Sequence, residues 1–183
     1  MTNYRRRRVP GGTYFFTVCL EERGSETLIA HVDLLRQAYR ALQAKKPFTC
    51  RAMVVLPDHL HAVWTLPEGD ADFSNRWGFF KARFSRDLRV RLGLPPIRLE
   101  TSRGGKGDAG IWQRRFWEHH LRDVADLRVH MEYCWSDPVR HGLVRRAGDW
   151  TYSSIHREIE AGRLPAHWLG GDRALRFPTG EAA

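Results

Sequence analysis

The 183-residue chain carries 30 Lys+Arg against 21 Asp+Glu, a formal net charge of +9, with 42% hydrophobic residues. That length suits one domain with a tail, and the composition excludes an acidic disordered chain, a disulfide scaffold and any apolar run near the ~20 residues that span a bilayer. The cationic excess beside 7 Trp, 5 Tyr and 9 Phe fits a nucleic-acid binder, because cations meet phosphates and aromatic faces stack on unpaired bases.

In chain order, Arg5, Arg6, Arg7 and Arg8 precede Pro10-Gly11-Gly12 and form a basic arm closed by a turn, with no apolar stretch of a secretory leader. Residues 13–20 (TYFFTVCL) are aromatic and β-branched and predict a strand. EERGSET reads as a polar loop. Val32, Leu35, Tyr39 and Leu42 recur at helical spacing over 31–46, and Pro47 stops the pattern. Residues 48–56 and 59–66 predict two strands of a hairpin around Pro57-Asp58. Over 71–92, Phe73, Trp77, Phe80, Phe84 and Leu88 form one helical stripe, with Arg86 and Arg89 roughly opposite. Trp64 and Trp77 are expected in the core, as are Trp112, Phe116 and Trp117. Residues 93–110 are rich in Gly and Pro and read as a mobile loop. A fourth strand running into a turn is predicted over 111–121, a helix over 123–136, a short helix over 153–161, and a tail beyond. Cys19, Cys50 and Cys134 form no CxxC pair, and a reducing cytoplasm is the expected compartment.

The order β-α-β-β-α-β-α predicts an α+β fold: a ferredoxin-like split βαβ antiparallel sheet with helices on one face, plus an extra C-terminal helix and tail. Such a fold hosts many activities, so function must come from side chains.

Two features carry chemistry. On a strand, His59 and His61 point to the same face and Leu60 to the other. Two imidazoles can hold a divalent ion if a third donor comes from elsewhere, and Asp58 can orient one ring. On the helix over 123–137, Val124, Leu127, Met131, Cys134 and Trp135 fall within about 100° of arc, and Tyr133 lies opposite, near Asp126, His130 and Asp137. Tyr133 is thus expected on a polar face rather than in the core. A phenol becomes a competent nucleophile toward a phosphodiester polarised by a metal, and Asp137 is the natural third ligand, suiting Mg²⁺ or Mn²⁺. Pro138 is expected to disturb the helix at Asp137. Zinc held by His59, His61 and Cys134 is a weaker alternative, because Cys134 falls on the apolar stripe.

The segments NYRRRRVPGGTYFFTVCL (3–20), VVLPDHLHAVWTLPEGD (54–70), FFKARFSR (79–86), IWQRRFWEHHLRD (111–123), YCWSDPVRHGLV (133–144) and DWTYSSIHR (149–157) together resemble the REP-associated group of single-tyrosine HUH transposases. The resemblance implies that His59 and His61 bind a catalytic divalent metal. It also implies that Tyr133 attacks a single-stranded DNA phosphodiester, leaving a 5′-phosphotyrosine link and a free 3′-OH, and that Asp137 is the helix-borne ligand. The family's segment reads close to Tyr-Ile-His-Tyr-Asn-Pro, whereas this chain has Tyr133-Cys134-Trp135-Ser136-Asp137-Pro138. Asn to Asp keeps an oxygen donor and adds charge.

The expected function is therefore a metal-dependent endonuclease and strand transferase at REP-like hairpins. The alternative is a domesticated hairpin DNA- or RNA-binding protein with weakened catalysis. The expected partner is single-stranded or hairpin DNA, with no membrane, a monomeric or homodimeric state, and a place among the cytoplasmic nucleoid. Candidate DNA contacts are Arg5, Arg6, Arg7, Arg8, Arg83, Arg86, Arg114 and Arg115, the last two flanking a strand expected beside the histidine strand. The division expected is a basic arm over 1–12, a catalytic domain over 13–145 and an extension over 146–183.

Overall fold

Alternation along β1 (Thr13–Cys19) sends Tyr14, Phe16 and Val18 to one side and Phe15 to the other, yet all four are buried. A strand apolar on both faces must be covered on both faces. The computed structural model, which describes residues 7–95 and 110–169, meets this demand with helices above and below one sheet. β1, β2 (Thr49–Val55), β3 (His59–Thr65) and β4 (Trp117–Leu121) pair antiparallel in the order β2-β3-β1-β4.

On one face lie α1 (Thr27–Ala30), α2 (Val32–Lys45) and α3 (Phe73–Arg91). Leu34, Leu35, Ala38 and Leu42 of α2 and the predicted Phe73, Trp77, Phe80, Phe84 and Leu88 stripe of α3 pack on Phe16, Leu60, Ala62 and Trp64. Trp64 and Trp77 stack at 4.0 Å and 12°. Asp72 caps α3 by accepting from the Asn75 N–H. The buried Arg76 donates to Asp70 and to the carbonyls of Lys46, Pro47 and Asp72, so its charge is paired inside the fold.

The opposite face is covered by the extra helix, α4 (Val124–Arg140), and by α5 (Ile155–Glu160). Residues 150–155 close the β2 edge: Val55 N–H donates to the Tyr152 carbonyl and Ser154 N–H to that of Met53. A covered edge cannot recruit another strand.

Four sequence expectations need correction. A short α1 occupies the end of the expected polar loop, from Thr27. The fourth strand is confined to Trp117–Leu121, while Trp112 makes only a bridge to Leu20. β4 pairs with β1 and not with the histidine strand β3, because β1 uses both of its edges; Arg114 and Arg115 are exposed ahead of it. Lastly, α4 runs through Pro138 to Arg140. Pro138 lies in the last turn, where its missing N–H costs one intrahelical bond. Gly142 at φ +67 then ends the helix, with Gly142 N–H donating to Val139 and Leu143 N–H to Pro138. The 93–110 loop lies mostly outside the described residues, as do Arg5, Arg6 and the tail. No helix among the described residues is long and apolar enough to cross a membrane.

Candidate active site

β3 carries His59 and His61 on the α4 side of the sheet, with Leu60 in the opposite core cluster. Each ring is fixed through Nδ1. His59 Nδ1 lies 2.6 Å from Asp58 Oδ1, and His61 Nδ1 lies 3.0 Å from Thr17 Oγ1, its cross-strand partner on β1. With the proton on Nδ1, each ring donates to its neighbour and turns the Nε2 lone pair toward α4, as metal-binding histidines do. Asp58 also accepts the Gly24 N–H at 2.6 Å and faces Arg23 at 3.3 Å. Burial raises its pKa, but the Gly24 N–H, His59 and Arg23 outweigh that and hold the carboxyl below its ordinary value.

α4 supplies the third donor. Asp137 Oδ2 lies 3.6 Å from His59 Nε2 and 3.2 Å from His61 Nε2. Among the described residues, the buried His59 Nε2 makes no hydrogen bond. A divalent ion held at ~2.1 Å needs donor–donor edges of about 3.0 Å at octahedral angles and 3.4 Å at tetrahedral ones. The His61–Asp137 edge falls inside that span and the His59–Asp137 edge about 0.2 Å beyond it, and two imidazole nitrogens with a carboxylate oxygen suit such an ion in donor type.

Tyr133 stands one turn before Asp137. Its ring is edge-on to His61 at 5.3 Å and to Phe15 at 5.7 Å, and Arg140 covers it, the guanidinium carbon 4.4 Å from the ring centre. Arg140 Nη1 also lies 3.5 Å from Asp137 Oδ1.

The structure thus brings four predicted residues together, but it overturns the expected surroundings of Tyr133. The tyrosine is buried against the sheet, and Val124 of the expected apolar stripe is 81% exposed. Leu127 and Met131 are half-buried; Cys134 and Trp135 are buried. The reason is the sheet itself, which presents two imidazoles on this face beside Phe15, Val54 and Val63, so from Tyr133 to Pro138 the helix is buried on both stripes: Tyr133 and Asp137 dock beside Cys134 and Trp135. Cys134 sits among apolar side chains, where burial raises its thiol pKa well above normal, and among the described residues it joins no cluster of side chains spaced to hold a metal ion.

Sequence reasoning missed His141, Arg140, Arg23 and Thr17. His141 Nε2 lies 3.6 Å from Asp137 Oδ2, and its ring 5.1 Å from that of His59; its spacing of four from Asp137 was the available signal. Thr17 had no local signal, because only strand register places it. Among the candidate DNA contacts, Arg7, Arg8, Arg114 and Arg115 are exposed. Arg83 and Arg86 pair with Asp87 on α3, across the sheet from Tyr133.

No family model matches the chain. It is 40% identical over 181 residues to the REP-associated tyrosine transposase of Escherichia coli (strain K12), covering 99% of this chain and 98% of that one. A Haemophilus influenzae protein provisionally given the same family name is 39% identical over 97% of this chain and 98% of its own. A solved structure of a REP-associated tyrosine transposase bound to a REP hairpin superposes with a TM-score of 0.84 at 40% identity, covering 100% of this chain and 99% of that one. With identity of this extent over nearly the full length, and a shared fold, the chain belongs to the REP-associated tyrosine transposases, enzymes that cleave and rejoin DNA.

Proposed function

We propose that this enzyme is a metal-dependent single-stranded DNA endonuclease and strand transferase acting at REP-like hairpins. The convergence of His59 Nε2 and His61 Nε2 on Asp137 Oδ2, with Tyr133 one helical turn away, carries this reading. The hairpin substrate is proposed because the similar solved structure holds a REP hairpin.

The Tyr133 phenol oxygen attacks the phosphorus, the bond from phosphorus to the 3′ oxygen breaks, and a 5′-phosphotyrosine link and a free 3′-OH remain. The phenol loses its proton and the departing 3′ oxygen gains one. His59, His61 and Asp137 would hold Mg²⁺ or Mn²⁺, and the ion would supply polarisation of a phosphodiester oxygen. Asp58 and Thr17 orient the two rings. Arg140 leaves the phenol face to admit the DNA backbone, and its fork then meets phosphate oxygens. Rejoining is the reverse attack, by a 3′-OH on the phosphotyrosine. Residues 13–145 are the catalytic unit, 1–12 a basic arm and 146–183 an extension, and exposed Arg7, Arg8, Arg114 and Arg115 are offered as backbone contacts. The protein would act in the cytoplasm, at the nucleoid.

Two departures from the family segment, Trp135 and Ser136, serve packing, while a third, Asp137, keeps an oxygen donor beside the imidazoles. Trp135 Nε1 donates to Ser154 Oγ and Ser136 Oγ to the Tyr133 carbonyl, so neither replaced side chain is a donor to the metal group. This favours an intact reaction centre over a binding-only descendant.

The test is incubation with labelled hairpin DNA and Mg²⁺ or Mn²⁺. Tyr133→Phe is expected to abolish the covalent adduct while hairpin binding persists. An adduct that forms in Tyr133→Phe assigns the nucleophile elsewhere.

A further inference from the structure

A second group of ligand-type side chains sits on the same sheet face, one turn before the nucleophile. We propose that His119, Asp126 and His130 form a second cation site, for a divalent transition ion with mixed nitrogen and oxygen ligation. The site is separate from the His59–His61–Asp137 centre and does not depend on the hairpin chemistry.

His119 comes from β4; Asp126 and His130 lie four residues apart on α4. Asp126 Oδ1 is 3.4 Å from His119 Nε2 and 3.1 Å from His130 Nδ1. Both edges fall within or close to the span of about 3.0 to 3.4 Å that an ion bound at ~2.1 Å requires. All three ligand atoms lie within 4.8 Å of one another. The side chains grade from anchored to open: His130 is 4% exposed, Asp126 15% and His119 31%. They border a groove of about 510 Å³ that Trp117, Arg122 and Asp123 also line, which leaves room for water ligands and a path for the ion. Two imidazoles and a carboxylate suit zinc or manganese.

Two adjustments complete the site. His130 Nδ1 exchanges its 2.8 Å hydrogen bond to the Asp126 carbonyl for the ion, its proton moving to Nε2 with no change of charge. His119, whose ring lies 4.9 Å from that of His130 at 21°, rotates about Cβ–Cγ, which its exposure allows.

Such an ion would tie β4 to the first turns of α4. Asp126, His130, Tyr133 and Asp137 form one stripe on that helix, and Phe15 contacts both His130 and Tyr133. The second site would thus act as a clamp that sets where the nucleophile helix rests.

The experiment is Zn²⁺ uptake by the full-length metal-stripped protein, measured by equilibrium dialysis with elemental analysis. Wild type is expected to take about two equivalents, and H59A/H61A and His119→Ala about one each, for four-coordinate sites with protein ligands. A zinc-induced rise in Tm should survive in H59A/H61A and vanish when His119→Ala is added, because an ion bound to the folded state alone stabilises it. His119→Gln, which keeps a polar side chain, guards against loss of fold and should lose the same equivalent. The two readings fail separately: uptake insensitive to H59A/H61A rejects the first centre, and uptake insensitive to both His119→Ala and His119→Gln rejects the second.

Discussion

The two site imidazoles differ in how they are held. His59 has a carboxylate partner, Asp58, from its own turn, while His61 has a hydroxyl partner, Thr17, from the neighbouring strand. Removing either leaves the imidazole in place but frees its rotation. Asp58→Ala and Thr17→Val are each expected to weaken Mn²⁺ binding by about 10- to 100-fold, as such outer partners do at other metal sites. Isothermal titration checks this, and unchanged affinity in both variants would mean that the rings are set by packing alone. The residue types themselves were legible: His59-x-His61 on an apolar strand and Tyr133 four before Asp137 pointed to the site from the sequence. Arg140, His141 and Thr17 were not, because they join it through a helix end and a strand register that no local pattern encodes.

β3 shows how one element serves two masters. Leu60, Ala62 and Trp64 bury on the α2 and α3 side, and His59, His61 and Val63 on the α4 side. The rigidity of the first layer positions the second. Trp77 stacks on Trp64 and also meets Phe16 and Phe80. Trp77→Ala is expected to cost about 3–5 kcal/mol through lost burial and a cavity, readable by urea denaturation; a loss under about 1 kcal/mol would contradict the core assignment. The α3 stripe was legible because every third or fourth residue is aromatic or leucine. On α4 the apolar stripe was legible from Leu127 to Trp135, but the burial of Tyr133 and Asp137 was not. Hydrophobic periodicity assumes an apolar partner, and the partner here is a sheet face that mixes histidines with Phe15 and Val63, so Asp137 is fully buried while Val124 ends in solvent.

Across the molecule, ion pairs together with the buried His130 and the half-buried His120 set the response to pH. A hydrogen bond from Arg91 lowers the Asp33 pKa to about 2, and hydrogen bonds from Arg76 and Arg163 lower those of Asp70 and Glu158. A carboxylate depressed on folding contributes stability that is full above its unfolded pKa of about 4 and is lost as pH falls through the folded value. Burial also depresses His120 and His130. Below about pH 6.5 the unfolded chain takes up protons that these two histidines resist when folded, so they too make stability rise with pH. Thermal melts of the metal-stripped protein should therefore show Tm falling gently from about pH 6.5 and steeply between about pH 4.5 and 2. A Tm at pH 3 equal to that at pH 7 would refute this assignment.

The amino-acid order by itself determined the succession of the four strands and the long helices, the apolar core of α2, α3 and β1, and the residue types on which the proposed metal-assisted tyrosine chemistry rests. These depend on periodicity and on the intrinsic chemistry of side chains, which are local properties. The tertiary structure alone decided which face of α4 docks, that β1 separates β4 from the histidine strand, and that Asp137 reaches both imidazoles past a proline. It also decided that a second histidine and aspartate group gathers beside the first. Each of these joins residues far apart in the chain, and only strand register and helix docking bring them within a few ångströms.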